Sequence, residues 1–300
     1  MASKQLRLLG LHATIFANRS RAGVEFSVPV GGLRRASHDH GQLVPTSPLP
    51  AIVDEPLDEA GRALARRVGE LSWYHTIDLG HGVATPGFYD HRPILDHYQL
   101  PLRLDGLRVL DVACFDGFWS FEFERRGAAE VVALDIATAR ELDLPYGRRD
   151  RMSEAELERR FGAGFAVAHE VLGSRVKHVH CNLYDLTPEL LGQFDLVHLG
   201  DVLLHLRDPA RALHNLRRVT RGRALISDCI YPDLDRHGDL PLMQYDGGRG
   251  DNIWWRFGAQ ALQRMIGDAG FERVTEAARF RYGPRGQPAS MWHAVFDARP

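Results

Sequence analysis

An α/β fold with a doubly wound, mostly parallel sheet is predicted for this chain of 300 residues, and three observations predict it. Short apolar runs suited to strands buried on both faces recur at 108–113, 130–135, 176–181, 194–199 and 223–227. Helical stretches at 119–126, 154–172, 188–192 and 209–219 separate them, the alternation that a parallel sheet with crossover helices requires. The last third departs from this rhythm. A helix at 255–269, closed by Gly270, precedes two strands at 271–280 and 290–296 joined by the turn GPRGQP, which predicts a terminal antiparallel hairpin.

Ahead of the sheet the chain reads in three parts. The first 24 residues lack any acid and carry Arg7, Arg19 and Arg21; the apolar run 8–16 is interrupted by His12 and has no cleavage pattern, so a tail is expected rather than a signal peptide. Residues 27–50 concentrate Gly, Pro, Ser and His without periodicity, which marks a linker or an irregular arm. Residues 1–50 are therefore assigned to an N-terminal tail or arm, 51–105 to a helical lid on the substrate side, and 106–300 to the core. Within the lid, Leu57, Ala60, Leu64, Val68 and Leu71 recur at spacings of three and four, one buried face of a helix. An aromatic, glycine-rich loop at 73–88 follows, then a short helix at 91–98 that ends before Pro101.

Composition narrows the function classes. A formal charge of -2 gives no global attraction to phosphate backbones, so nucleic acid is not the default partner. Cys114, Cys181 and Cys229 lie far apart without a CxxC pair, which points away from a disulfide framework or a cysteine zinc site and toward a reducing cytoplasm. No stretch reaches the roughly 18 uncharged apolar residues that a membrane-spanning helix needs.

Ligands of open parallel sheets bind at the carboxyl ends of the strands, where the first strand-to-helix turn must let them approach the backbone. Here that turn reads VLDVACFDG. It resembles the methyltransferase pattern acidic-x-Gly-x-Gly-x-Gly, with Asp111, Ala113, Phe115 and Gly117 at the four defining places. Only one glycine of three is present, and the ring of Phe115 obstructs a pyrophosphate. S-adenosylmethionine (SAM) has no pyrophosphate. Asp135, 18 residues after Gly117, ends the second strand where a carboxylate can accept from both ribose hydroxyls. Asn182, Leu183 and Tyr184 follow the third strand and can bracket an adenine; Gly200 and Asp201 end the fourth, beside the methionine part.

The resemblance extends over roughly residues 70–300. WYHTIDLGHGVATPGFYDHRP, VLDVACFDGFWSFEFERRGAAEVVALDI, SRVKHVHCNLYDL, FDLVHLGDVLLHLRDPARAL and NIWWRFGAQALQRMIGDAGFE are similar to the family related to the bacterial tRNA wobble-uridine carboxymethyltransferase, within the class I SAM-dependent methyltransferases. It implies a Rossmann-like class I sheet, to which the terminal hairpin is suited, and SAM at Asp111, Ala113, Phe115, Gly117 and Asp135, with Leu183 and Tyr184 near the adenine and S-adenosylhomocysteine as the product. With no lysine between Lys4 and Lys177 to hold the extra carboxylate of carboxy-SAM, ordinary SAM is the expected cofactor.

Methyl transfer needs alignment and, for a hydroxyl acceptor, a base. His205, four residues after Asp201, is the first candidate, on a helix that would carry both on one face. The aromatic loop would exclude water and bring His75 and Tyr89 to the acceptor, with Trp254 and Trp255 as a wall. A metal at Asp201, Asp228 and Asp251 or Asn252 is not expected, since acids after successive strands are common without one. The predicted reaction is methylation of oxygen on a small molecule such as a sugar or specialised metabolite. A tRNA modifier is the alternative; it would need RNA bound through Arg148, Arg149, Arg151, Arg159 and Arg160, but these are interleaved with Glu154, Glu156 and Glu158. A non-catalytic SAM-binding protein is the third reading. The sequence leaves the oligomeric state open.

Overall fold

The computed structural model describes residues 48–300 except 249–251, and ahead of them the backbone of three strands. Those strands, β1 (Ala2–Leu8), β2 (Leu11–Ala17) and β3 (Ala22–Ser27), form an antiparallel meander in the region read from sequence as a tail. Most of the Gly- and Pro-rich linker lies outside the described residues. The chain divides into two compact units, Met1–His40 and Gly41–Pro300. The second unit contains everything that follows.

It begins with β4 (Ile52–Val53), helix α1 (Glu59–Val68) and β5 (Val83–Ala84), which pairs back onto β4. The helix is shorter than the face read from sequence, leaving Leu57 ahead of it and Leu71 after it, and it starts at Glu59 because Asp58 accepts the Gly61 N–H at 2.6 Å, satisfying one of the first-turn donors that a helix leaves open. Leu64 and Val68 are buried. A 3-10 turn, Arg92–Tyr98, stands where the short helix was expected and ends on the left-handed Gln99.

The sheet is then built by β6 (Arg108–Val112), α2 (Phe118–Arg125), β7 (Glu130–Asp135), three short helices α3 (Tyr146–Arg149), α4 (Glu154–Leu157) and α5 (Ala163–Val171), β8 (Lys177–His180), α6 (Pro188–Leu191), β9 (Phe194–Gly200), α7 (Pro209–Val219) and β10 (Thr220–Ile230). After β11 (Met243–Tyr245) and β12 (Trp255–Phe257) come α8 (Ala259–Asp268) and the antiparallel hairpin β13 (Arg273–Tyr282) and β14 (Met291–Arg299). Strands β8, β7, β6, β9 and β10 are parallel neighbours in that order, and β14 closes antiparallel on β10. The sheet is Rossmann-like, with its order reversing between β6 and β9, as predicted.

Three elements differ from the sequence reading. The helix expected over 154–172 is broken, because Gly162 adopts a left-handed φ of 90° and starts α5 anew. The helix expected from Trp255 starts at Ala259: residues Trp255–Phe257 pair with β11, and Asp235 accepts the N–H groups of Ala259 and Gln260, capping α8 from a distant turn. Strand β10 runs on to Ile230, which draws Asp228 and Cys229 into the sheet instead of leaving Asp228 in a loop after it.

Alternate residues of each strand feed two apolar layers. Leu110 and Val112 join Val197, Leu199, Leu213 and Leu262 on one face. Val109 joins Leu196, Phe123, Trp73 and Tyr98 on the other. Trp73 and Tyr98, each 1% exposed, come from the segment ahead of the sheet, which thus shares the core of the sheet itself. Burying each such side chain is worth about 1.5–3 kcal/mol. Among the described residues no helix is long and apolar enough to cross a membrane.

Candidate active site

The turn between β6 and α2 lies at the switch point of the sheet, where open α/β folds take their ligands. Ala113, Phe115 and Gly117 all have positive φ, at 57°, 51° and 91°. Two of these are not glycine, and each left-handed non-glycine residue costs of order 1 kcal/mol or more unless its surroundings hold it. Here they do. The Cys114 N–H donates to Leu134 O at 3.1 Å and the Phe115 N–H to Asp135 Oδ2 at 2.8 Å. Glycine is required only at 117, where a Cβ would come within 2.7 Å of the Phe121 and Phe165 rings.

Asp135 ends β7 with Oδ2 on Phe115 N and Oδ1 on its neighbour's N–H, Ile136, at 2.7 Å. Loss of hydration raises its pKa to about 6, against which the two N–H groups pull, so it is ionised at neutral pH. Each oxygen keeps lone pairs beyond the one it has used. That is the acceptor pair to which a ribose diol can donate, and the residues present are compatible with SAM at this turn.

Asp111 stands deeper. Its carboxylate is 1% exposed and accepts from Ser120 Oγ at 2.5 Å, while its other oxygen meets His198 Nδ1 at 2.9 Å. It ties α2 and β9 together beneath the turn. Asn182 uses its side-chain oxygen on Tyr184 N and its amide on Glu141 O. Leu183 is buried in the core. The Tyr184 hydroxyl donates to Asp143 and accepts from Asp208 N, with Arg211 over its ring, so it braces α7. Gly200 closes β9, and a Cβ there would press on His198 and Ser227 at 3.2–3.3 Å.

Asp116, inside the motif but not singled out from sequence, joins the turn to the aromatic loop. Its Oδ2 accepts from the N–H groups of Tyr74 at 2.5 Å and His75 at 3.0 Å, and burial raises its pKa to about 7. The loop is itself paired: Phe88 N donates to Trp73 O, Tyr89 N to Tyr74 O, and Thr76 N to Tyr89 O. Arg285, in the turn of the terminal hairpin, donates to the carbonyls of Phe88 and Gly87.

On this frame the side of the turn that faces the aromatic loop is lined by rings. Tyr74 packs on Phe115 at 4.7 Å and on Tyr89 at 5.1 Å; His75 meets His91 at 5.0 Å; Tyr282 meets His91 at 5.3 Å and His293 at 5.7 Å. Burial and neighbouring imidazoles push the pKa of His75 well down, and burial lowers that of His91 to about 4. Both are neutral at pH 7. Nδ1 of each, and the Tyr282 hydroxyl, are buried without a hydrogen-bond partner among the described residues.

Asp201 and His205 do not share a helix face. Asp201 is left-handed, φ 52°, and precedes a single 3-10 turn, Leu203–His205. Burial lowers the pKa of His205, and its Nδ1 lies 3.0 Å from Asn252 O, which fixes the proton on Nδ1 and leaves Nε2 as a lone pair. Asp201 instead faces His293, with Oδ1 3.2 Å from Nε2. Asp228 is turned away, accepting from Leu204 N and Cys229 N. Asp251 lies outside the described residues. Trp254 and Trp255 donate to Asp143 O and Arg207 O.

His91, Cys229, Tyr282 and His293 belong to this site and escaped the sequence reading. Cys229 and His293 are cross-strand partners. Their spacing of 64 residues carries no motif, and it is the antiparallel register of β14 on β10 that brings them together.

Known proteins share the family and the fold. A tRNA U34 carboxymethyltransferase of Ectopseudomonas mendocina (strain ymp) is 28% identical over 58% of this chain. The match spans 47% of that protein, so the chain corresponds to about half its length. The N-terminal domain of EvdMO1, crystallised in the presence of SAH and D-fucose, shares the fold with a TM-score of 0.53 at 16% identity, covering 82% of this chain and 99% of that one. With SAH bound the same domain gives 0.52. A model of the methyltransferase domain matches residues 89–276, well over half of the sequence, and the chain belongs to that family, the class I SAM-dependent methyltransferases.

Proposed function

We propose that this methyltransferase acts on a hydroxyl oxygen of a small polyhydroxylated molecule, a sugar or sugar-bearing metabolite. The observation that carries the reading is the ring-lined side of the site, where His75, His91 and Tyr282 hold buried polar atoms without partners among the described residues. A molecule with several hydroxyls on an apolar ring face satisfies such atoms while stacking on Tyr89 and Tyr282; a hydrocarbon leaves them unpaired at about 1–3 kcal/mol each.

SAM, when bound, supplies the sulfonium methyl. The chain's own residues do the rest. Ala113, Phe115, Gly117 and Asp135 hold the nucleoside, with Asp111 beneath the turn and Asn182, Leu183, Tyr184 and Gly200 along its edge. Nε2 of His205 takes the acceptor's proton, Asp201 fixes the local geometry, and His75 orients the acceptor. Residues 51–105 act as the lid over the core of 106–300, excluding water through Tyr74 and Tyr89 closed over Phe115.

Incubation with SAM and a panel of sugars and glycosides, followed by mass spectrometry for S-adenosylhomocysteine and a product heavier by one methylene, tests the reading. Turnover confined to thiols, amines or RNA overturns it. The 28% identity to a tRNA enzyme motivates the second reading, a wobble-base acceptor, which requires salt-dependent tRNA retention. Against it, Arg140 is paired with Glu154 and Glu158, and Arg149 is spent on main-chain carbonyls.

A further inference from the structure

We propose that Cys229, His293 and Asp201 form a binding site for one divalent transition ion of the zinc class, at the carboxyl ends of β9 and β10 beside the acceptor. Cys229 Sγ lies 3.3 Å from His293 Nε2, Asp201 Oδ1 lies 3.2 Å from the same nitrogen, and all three ligand atoms fall within 4.8 Å of one another. Bonds of about 2.3 Å to sulfur and 2.0–2.1 Å to nitrogen or oxygen, at tetrahedral angles, place ligand atoms roughly 3.3–3.6 Å apart. The two separations about Nε2 are close to these edges.

Hydrogen bonding alone does not account for the convergence. Nε2 carries at most one proton, which cannot serve sulfur and carboxylate together. Asp201 Oδ1, buried and aimed into the cluster, makes no hydrogen bond of acceptable geometry among the described residues. The His293 and Cys229 residues are 2% and 7% exposed. An ion answers all three donors at once. Thiolate and imidazole favour zinc over magnesium or calcium, which prefer all-oxygen shells.

Three protein ligands leave a fourth position, the arrangement of catalytic rather than closed structural zinc sites. Its use by the acceptor rests on the proposed O-methylation. A hydroxyl held there is acidified, its proton passes to His205 or water, and the new C–O bond forms as the C–S bond of SAM breaks, releasing S-adenosylhomocysteine. His293 Nδ1 has no protein partner among the described residues. Ligating histidines usually donate this N–H, and loss of such a partner typically weakens binding 10–100-fold. Affinity is therefore expected to be moderate.

The untagged full chain, freed of metal by chelation and gel filtration, is titrated with Co²⁺ and Zn²⁺. The expected result is one ion per chain by elemental analysis, with a thiolate-to-cobalt charge-transfer band displaced by Zn²⁺. Cys229→Ser should abolish the band, and His293→Gln and Asp201→Asn should each weaken binding at least tenfold. Cys181→Ser should leave the band unchanged. Absence of stoichiometric binding, or a band that survives Cys229→Ser, overturns the site. Should those variants misfold by circular dichroism, Zn²⁺ protection of Cys229 from alkylation in the wild-type chain decides, and unchanged alkylation overturns it. Calorimetric binding of S-adenosylhomocysteine to the metal-free chain tests the cofactor site separately.

Discussion

The two sides of the site are built on opposite principles. On the cofactor side the carboxylates are engaged: Asp135 takes two main-chain N–H groups, Asp116 takes two, and Asp111 joins a hydroxyl to an imidazole. On the side proposed for the acceptor, His75, His91, Asp201, Tyr282 and His293 all hold a buried polar atom without a hydrogen-bond partner among the described residues. A preorganised surface binds a rigid, invariant ligand with little reorganisation; unpaired groups in an apolar setting select the ligand that pairs them. The contrast separates affinity for the shared cofactor from discrimination among acceptors.

It breaks most readily at His205. His205→Gln should lower kcat by about 10²–10³-fold, in the range of general-base losses, with cofactor affinity unchanged. Because burial lowers the pKa of the wild-type imidazole, activity should hold level from pH 8 to below the ordinary histidine range and fall only when Nε2 protonates. Next comes Asp135→Ala, expected to weaken S-adenosylhomocysteine binding by about 100-fold, a little under 3 kcal/mol, as charge-assisted hydrogen bonds are lost. A calorimetric change below tenfold would place the nucleoside elsewhere.

Asp116 tests the join between the sides through stability. Asp116→Ala strands two buried N–H groups and should cost about 2–4 kcal/mol by urea unfolding; Asp116→Asn, which still accepts, should cost about 1 kcal/mol or less at pH 5. The folded pKa of about 7 exceeds the ordinary 3.8, so the folded state keeps a proton that the unfolded chain releases. Its contribution to stability is full below pH 4, declines as pH rises toward 7 at up to about 1.4 kcal/mol per unit, and is constant above. Asp116→Asn should flatten that part of the pH dependence and gain on the wild type between pH 5 and 8. The smallest effect belongs to Tyr282→Phe: a several-fold rise in acceptor KM, with kcat and cofactor affinity held.

Sequence patterning carried the fold and the strand-end turn on which the proposed cofactor site rests, because both are local. Apolar runs at strand length, a turn between β6 and α2, and an acid at the end of β7 lie within a single stretch from Arg108 to Asp135, where the chain's own order places them side by side. The helix expected from Trp255 failed where distant residues intervened: Asp235 supplies the cap of α8 from outside the segment, and β11 captures Trp255–Phe257 as a strand. The acceptor half was least legible. His75 and His205 were readable as imidazoles in the aromatic loop and after the fourth strand, but their protonation follows from burial and from the Asn252 carbonyl, which no spacing reports.

Periodicity and strand-end chemistry alone determined a doubly wound α/β sheet with an acid, Asp135, at the end of its second strand, since those signals arise between near neighbours in the chain. Tertiary structure alone decided that Asp116 ties the aromatic loop to the turn, that Asp201 turns from His205 to His293, and that Cys229 meets His293. Each depends on strand register and loop closure across tens of residues, where one step of slip would turn these side chains to the opposite face of the sheet.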